Sequence, residues 1–211
     1  MLPIADIESV LFNVAEALRV PVLIAALLCL ALVLVELGRF LFELSRRRGR
    51  SNAGLQAATD RALAALHTQR NYGAAAVSLE QISSGPQMTD AIERIVAQYG
   101  SPDRDEQAAK ALADFDFGAM RKLERTRALV RLGPALGLMG TLIPLSPALA
   151  GLAEGDVKQL SDNLRVAFSV TVLGLLIGAV AFVISLVRDR LYGQDLSDLE
   201  FVAGKLLGPR Q

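Results

Sequence analysis

The chain has 211 residues, of which 52% are hydrophobic but only 5% are aromatic, with no Trp. This Leu-, Ala- and Val-rich composition is unusual for a soluble core. Lys and Arg number 22 and are balanced by 22 Asp and Glu, so no net field draws the chain toward nucleic acid or acidic substrates. The chain has a single cysteine, Cys29, which excludes a disulfide framework, and a single histidine, His67. We interpret both as structural residues without a functional role.

An amphipathic helix is predicted at the start of the chain. Apolar residues recur there at spacings of three and four residues, while acidic and amide residues fall largely elsewhere, which is the pattern of one apolar helical face. The apolar positions are Ile4, Ile7, Leu11, Val14 and Leu18. We therefore expect residues 1–19 to lie on the outer membrane interface.

The first membrane span is predicted over residues 20–45. From Val20 to Val35 the chain is wholly apolar, and it stays mostly apolar to Phe42, giving about 23 residues or roughly 34 Å of helix, which crosses a bilayer. A signal peptide is disfavoured because the run is too long and no basic segment precedes it. A basic cluster follows the run, as after a stop-transfer sequence: Arg46, Arg47, Arg48 and Arg50.

Charged residues lie near the end of this first span. Glu36, Arg39 and Glu43 occupy one helical side at spacings of three and four residues, which permits an ion pair between Glu36 and Arg39. Arg39 can also reach the membrane interface. We interpret the pair as structural or interfacial, and the alternative is that Glu36 contributes to an ion path or to contact between helices.

The region 46–131 is polar and rich in Ala, which indicates a helical extension outside the membrane. Breaks at Gly73, at 83–86 and at 100–102 divide it into about four helical stretches. Nothing in it suggests strands, a repeat or a separate soluble domain. We expect this region to be a cytoplasmic continuation of the membrane helices.

Two further apolar stretches, 132–153 and 166–187, predict an antiparallel membrane hairpin because only the polar segment 154–165 separates them. Basic residues precede the second span and follow the third, which places those flanks and the tail 188–211 in the cytoplasm. These basic residues are Arg121, Lys122, Arg125, Arg127, Arg131, Arg188 and Arg190. The predicted fold is an all-α integral membrane protein with three transmembrane helices, an N-terminal amphipathic helix and a helical cytoplasmic extension, with its N-terminus outside.

Each span of the hairpin has a stripe of small residues along one face, and these stripes are the main sequence evidence for its function. Small side chains let membrane helices approach closely, and hydroxyls add hydrogen bonds between them. The predicted packing positions are Gly133, Gly137, Gly140, Pro144, Ala167, Gly174 and Gly178, and each stripe also holds one threonine, Thr141 or Thr171. One interpretation is a packing face whose hydroxyls bond a carbonyl of the preceding turn; the other is a hydrated ion path.

Pro144 and Pro147 favour the ion path, because each proline frees a carbonyl at membrane depth that must find a partner or water. Neither hairpin span contains an ionisable residue. A titrating carboxylate would then have to come from another polypeptide. On this interpretation, the sequence implies a partner protein.

The motifs of the hairpin resemble those of the MotA/TolQ/ExbB proton-channel family. Residues 132–141 read LGPALGLMGT, which is similar to the family's Gly-Leu-x-Gly-Thr signature in the second span. Residues 169–175 read SVTVLGL, which is similar to its Thr-x-x-Gly-Leu element in the third. The first span and the cytoplasmic region resemble the TolQ/ExbB branch in layout only.

This resemblance implies a pentamer of such subunits in a bacterial or archaeal inner membrane, around a dimer of single-span TolR/ExbD-like partners whose membrane aspartate carries the ion. Thr141 and Thr171 match the pore-lining threonines of the family. Relatives use the ion-motive force to generate flagellar torque, to drive transport at the outer membrane, including protein transport, or to maintain the cell envelope. No cofactor or metal is implied, and the coupling ion is expected to be H⁺ rather than Na⁺.

The chain departs from the family pattern at two places. Val166 occupies the position where TolQ/ExbB proteins usually have an acidic residue, and the chain lacks the extra span of MotA. Val170 stands where sodium-using relatives often have a second hydroxyl, which favours protons.

Two other classes of function compete with an ion-driven motor subunit. A passive oligomeric scaffold would use the stripes for assembly alone. An intramembrane enzyme would need a nucleophile with a base or a metal cluster at one depth, and the hairpin spans offer only hydroxyls. We therefore expect no enzyme activity. The sequence contains no phosphate-binding loop, so ATP is not the expected energy source.

Overall fold

The computed structural model describes residues 4–47 and 52–208, so Arg48 and Arg50 of the predicted basic cluster lie outside the described residues. Within these ranges the fold is helical and contains no strand. The helices are α1 (Ile4–Ala17), α2 (Arg19–Arg46), α3 (Asn52–Gln69), α4 (Tyr72–Glu80), α5 (Pro86–Ala97), α6 (Arg104–Ala153) and α7 (Val157–Leu207). The all-α prediction is confirmed.

Three segments are long and apolar enough to cross a membrane, as the sequence predicts: Ile7–Arg46, Arg104–Ala153 and Val157–Leu207. The first of them joins α1 to α2 through Leu18, whose amide donates to the carbonyl of Val14 over 3.2 Å and whose carbonyl accepts from Val22 over 3.0 Å. The chain is therefore a multi-pass membrane protein.

Helices α6 and α7 continue well beyond a bilayer. They contain 50 and 51 residues, or about 75 Å each at 1.5 Å per residue, whereas the hydrocarbon core is about 30 Å thick. The three prolines inside α6, Pro134, Pro144 and Pro147, do not end the helix. Each of these two helices therefore combines a membrane span with a segment outside it.

The connection between α6 and α7 is short. Gly155 has a φ of +79°, and the Asp156 carboxylate accepts a hydrogen bond from the Gln159 amide over 3.0 Å, which caps the start of α7. Helix α7 consequently begins at Val157. Most of the segment predicted as the outer loop, 154–165, is helical.

The chain divides into two compact units. The span unit comprises Met1–Gly38 and Arg125–Ser185. Its core joins the three spans through five buried residues: Cys29, Val33, Leu129, Ile177 and Ala181. Cys29 thus packs as a small apolar side chain.

The extension unit comprises Arg39–Glu124 and Leu186–Gln211. Its core gathers apolar residues of α3 to α7, and the largest fully buried ones are Leu66, Leu79, Met88, Ile92, Ile95, Val96, Leu199 and Val202. Asn71 caps α4 by accepting from the Ala74 amide over 3.0 Å, and Pro86 begins α5. The breaks between α3, α4, α5 and α6 fall at or beside the predicted ones.

Candidate functional site

The small residues of α6 and α7 meet in one contact, which we call the hairpin seam. All seven predicted packing positions are buried: Gly133, Gly137, Gly140, Pro144, Ala167, Gly174 and Gly178. At its closest contact between backbones, a Cβ on Gly174 would lie 2.5 Å from the Gly133 carbonyl oxygen, and a Cβ on Gly133 would lie 2.7 Å from the Gly174 oxygen. Backbone therefore packs directly on backbone here.

Side chains fill the seam on either side of this point. The ring of Pro134 covers Gly178, where an added Cβ would lie 2.9 Å from the proline Cδ. Val170 packs on Gly140 so closely that a Cβ on the glycine would overlap the valine Cγ1. Val170, the position where some relatives have a hydroxyl, is thus buried against α6.

Thr171 hydrogen-bonds across the seam as well as within its own helix. Its Oγ1 donates to the Ala167 carbonyl over 3.1 Å and to the Gly137 carbonyl over 3.3 Å. Because a hydroxyl has one proton, the two carbonyls share it. The oxygen keeps lone pairs that can accept a hydrogen bond from another group, and the residue is half-buried.

The Thr141 hydroxyl, by contrast, makes its hydrogen bond within its own helix. Its Oγ1 donates to the Leu138 carbonyl of its own helix over 2.7 Å, and the residue lies half-buried at the edge of the seam. The structure therefore places Thr171 inside the helix contact and Thr141 beside it. Both hydroxyls bond a carbonyl of the preceding turn, as the packing interpretation expects.

The two spans that form the seam, 132–153 and 166–187, contain no ionisable residue, and a polar pair of the span unit lies outside them. The Arg19 guanidinium donates to the Asn163 side-chain oxygen over 2.9 Å, and Asn163 is buried. This bond joins the start of α2 to the first part of α7. Its only signal in the sequence is an amide residue within the polar segment 154–165, which the sequence predicts to be the outer loop.

A model of the MotA/TolQ/ExbB proton channel family matches residues 86–200, which is more than half of the chain. The chain belongs to this family. The match includes α5, α6 and most of α7, and so contains the whole hairpin seam. A comparison with curated proteins finds no match.

Membership of the MotA/TolQ/ExbB family makes the chain a member of a family of channels rather than of enzymes. The match does not extend over α1 to α4. The predicted roles of Thr141 and Thr171 remain predictions. So does the ion pair between Glu36 and Arg39, each of which makes polar interactions in the structure.

A second polar cluster, which the sequence interpretation missed, lies in the extension unit of this channel-family protein. We call it the polar joint: Glu43, Arg47, Ser84, Arg188, Tyr192 and Asp195. The Arg47 guanidinium makes a two-pronged ion pair with Asp195 over 2.6 and 2.9 Å and also bonds Glu43 over 3.1 Å. Arg188 contacts the other Glu43 oxygen over 3.3 Å.

Two hydroxyls complete the polar joint. The Ser84 hydroxyl donates to Asp195 over 2.7 Å, and the Tyr192 phenol donates to Glu43 over 3.4 Å. The joint thereby ties the last turns of α2 to α7 and to the loop before α5. The side chains of Arg47, Arg188 and Asp195 are almost completely buried, which is costly unless every charge is paired.

Tyr192 is expected to remain neutral in strongly alkaline solution. Burial raises the pKa of its phenol and the Glu43 carboxylate raises it further, while Arg188 opposes the change. In the unfolded chain the pKa is about 10, so stability falls as the pH rises above about 10, where only the unfolded chain releases this proton.

Absorbance at 295 nm checks this expectation. Tyr192→Phe should leave the titration curve of the folded protein unchanged but reduce the signal of the unfolded chain by about a third, because the chain has three tyrosines. A reduced signal in the folded titration below pH ~11 would contradict the raised pKa.

Proposed function

We propose that this chain is the ion-conducting subunit of a rotary inner-membrane motor, which converts ion-motive force into mechanical work on the cell envelope or on a transport system. The observation that carries the proposal is the Thr171 hydroxyl in a seam without charges, within a member of a proton-channel family. A hydroxyl at membrane depth can exchange hydrogen bonds with a carboxylate that gains and loses a proton.

The titrating carboxylate comes from a partner on this proposal, since residues 132–153 and 166–187 contain no ionisable side chain. The partner implied by the family is a dimer of single-span TolR/ExbD-like proteins with a membrane aspartate, enclosed by a pentamer of this chain. One charge that moves through 100 mV releases about 2.3 kcal/mol, so a few ions per step supply the energy of a conformational change.

Protons fit this path better than sodium ions. A metal ion in a channel must replace its hydration shell with several oxygen ligands. Position 170, where a second hydroxyl would stand, holds a buried valine that packs on Gly140. A proton needs only a chain of hydrogen-bonding groups, which Thr171 and water can provide.

The N-terminal helix supports a location at the outer membrane interface on this proposal. Its apolar residues Ile7, Leu11 and Val14 are 47%, 64% and 53% exposed. Glu8 and Glu16 lie on other sides of the helix and are exposed as well. An amphipathic helix of this kind can bury its apolar face among lipid chains and keep its acids in water.

Replacing the Thr171 hydroxyl tests the conduction of ions. In liposomes that contain the chain and its partner, Thr171→Val is expected to lower proton flux by about tenfold or more, because the isosteric methyl group cannot exchange a hydrogen bond. Thr171→Ser should retain most of the flux. Proton influx under an imposed potential, followed with a pH-sensitive dye, gives the measurement.

A matched control is available on the same helix. Ser169 bonds the Arg165 carbonyl within α7 and is exposed, so Ser169→Ala should leave the flux unchanged. Replacing the partner's aspartate by Asn should abolish it. Equal flux in wild type and both Thr171 variants, despite normal assembly, would refute the proposal.

The second candidate function is a passive oligomeric scaffold. It is favoured by the bond from Thr171 to the Gly137 carbonyl, which by itself serves helix packing. A scaffold predicts that Thr171→Val weakens the hairpin or the oligomer and that neither wild type nor variant conducts. Native mass spectrometry of the same samples distinguishes this outcome from a loss of conduction alone.

The proposed orientation can be tested with single cysteines after Cys29→Ser. Glu154 lies in the short turn between α6 and α7 and Ser197 is exposed on α7 outside the predicted span. In intact cells, an impermeant maleimide is expected to label Glu154→Cys, whereas Ser197→Cys should react only after permeabilisation. The reverse pattern would place the N-terminus in the cytoplasm.

A further inference from the structure

Three arginines of the span unit are exposed on α6 just before the predicted second span. They are Arg125, Arg127 and Arg131. Basic residues in such places ordinarily set the orientation of a span in the membrane. If that were their only role, they would lie at the cytoplasmic membrane surface, level with the ends of the other two spans.

The packing of the span unit places these arginines beside the interior of the other spans instead. Leu129, between Arg127 and Arg131, is buried in an apolar cluster that includes residues of α2 and α7. Those residues are Cys29, Val33, Ile177 and Ala181. Next to Arg131, the Val130 carbonyl oxygen would lie 3.4 Å from a Cβ on Gly178. The start of the α6 span is therefore packed against apolar segments of both neighbours.

Distances along α2 and α7 give the depth of Arg131. The two helices begin side by side, and α6 runs in the opposite direction, so Arg131 is level with the earlier cluster members, Cys29 and Ile177. Cys29 lies seven residues before Glu36, the first ionisable residue after the apolar run of α2, or about 10 Å. Ile177 lies ten residues before the end of the apolar stretch 166–187, or about 15 Å. Arg131 is thus well inside the apolar belt of its neighbours.

The other exposed surfaces at this level are apolar. Leu28 and Leu32 are exposed on α2, and Leu176 and Phe182 are exposed on α7. Large apolar side chains suit contact with lipid chains, whereas a guanidinium at that depth is costly unless it faces water or protein. At one level, therefore, the span unit presents apolar surfaces on α2 and α7 and a basic surface on α6.

We propose that the face of α6 around Arg125, Arg127 and Arg131 lines a water-filled vestibule at membrane depth, enclosed by further copies of this chain, while α2 faces lipid at the same level. Helical side chains lean toward the N-terminus of their helix, so the guanidiniums are directed to the predicted cytoplasmic opening. The occupants are water and small anions, because positive side chains attract anions and repel metal cations.

The vestibule has a consequence for leakage, since arginines contributed by each copy oppose the entry of Na⁺ and K⁺ from the cytoplasm. The inference rests on the oligomer of the proposed function but not on ion conduction. The flux experiment and the labelling experiment below can therefore fail separately.

The reactivity of single cysteines toward charged methanethiosulfonates tests for water, because the reaction needs a thiolate and a thiol in lipid does not ionise. After Cys29→Ser, Ala128→Cys places a thiol at an exposed position beside the arginines and retains all three. Leu32→Cys is the matched control, exposed on α2 at the same level. In inverted membrane vesicles that contain the full chain, an anionic reagent should modify position 128 about a hundredfold faster than position 32.

The charge of the reagent tests the arginines. At position 128 the ratio of the anionic to the cationic rate should exceed the ratio for free cysteine by about fivefold or more. Arg127→Gln combined with Arg131→Gln should return the ratio to that of free cysteine. Arg165→Gln is the charge control, because Arg165 is exposed near the other end of the span unit, and it should leave the ratio unchanged.

Three results would overturn the proposal. Equally slow reaction at positions 128 and 32 would mean that lipid covers this face of α6. Equally fast reaction at both would mean that the whole level lies in water outside the membrane. A ratio at position 128 equal to that of free cysteine would mean that bound phosphate or carboxylate groups neutralise the arginines.

Discussion

Gly174→Ala is expected to lower the stability of the hairpin by about 3 kcal/mol or more, because the new methyl group meets backbone rather than a movable side chain. Its Cβ would lie 2.5 Å from the Gly133 oxygen and 2.8 Å from the Gly137 Cα. The two helices must separate to relieve this contact, which also displaces Thr171 from the Gly137 carbonyl. Unfolding in mixed micelles with increasing SDS, followed by circular dichroism, measures the loss.

The same helix supplies a matched control for this substitution. An added Cβ on Gly193 of α7 meets nothing within 4 Å. Gly193→Ala should therefore keep or raise stability, by up to about 1 kcal/mol, through the better helix propensity of alanine. If the two alanine variants unfold at the same SDS fraction, the hairpin seam is not as tight as the structure describes.

Asp195→Asn is expected to destabilise the extension unit by about 3–5 kcal/mol. The substitution removes the negative charge of a buried ion pair, so the positive charge of the Arg47 guanidinium is no longer balanced by Asp195. Asp195 is 1% exposed and accepts hydrogen bonds from both terminal nitrogens of Arg47 and from Ser84. The amide has nearly the same shape, so the effect reports charge rather than packing. Thermal unfolding in nanodiscs gives the measurement.

The control for this prediction lies one and a half turns further along α7. Glu200 is exposed, and Glu200→Gln should change stability by no more than about 0.5 kcal/mol. A double variant that replaces both Arg47 and Asp195 by apolar residues should recover part of the loss, since no unpaired charge then remains buried. Equal stability of Asp195→Asn and Glu200→Gln would show that the ion pair contributes nothing.

The helical fold and the hairpin could be predicted from sequence because their signals are local. Apolar runs longer than a bilayer identify the spans, and glycines at spacings of three and four mark the faces that pack closely in lipid. Gly85-Pro86 and Gly100-Ser101-Pro102 stop helices for reasons of backbone geometry. Each of these signals is complete within a few turns of one helix.

The hydrogen bonds of the seam depend on information that no single segment contains. The bond from Thr171 to Gly137 requires the register between two helices, which the close contact of Gly133 with Gly174 sets. The turn before α7 was predicted too long because its residues are polar, although Asp156 followed three residues later by Gln159 is an N-terminal capping pattern.

The polar joint was missed for a different reason. Arg47 and Arg188 follow apolar spans, and basic residues in such places are ordinarily explained by membrane orientation. Their carboxylate partners, Glu43 and Asp195, gave no separate signal. Arg47 and Asp195 are 148 positions apart in the chain, so only the folded arrangement of α2 and α7 reveals that these charges neutralise one another.

The kind of obstacle at each seam glycine determines how evolution can alter the contact. At Gly174 the obstacle is backbone, so no second substitution can make room for a side chain. At Gly140 the obstacle is Val170, so a smaller residue at 170 opens space for a larger one at 140. A larger side chain at 140 therefore requires a smaller one at 170, whereas no second substitution lets 133 or 174 take a side chain.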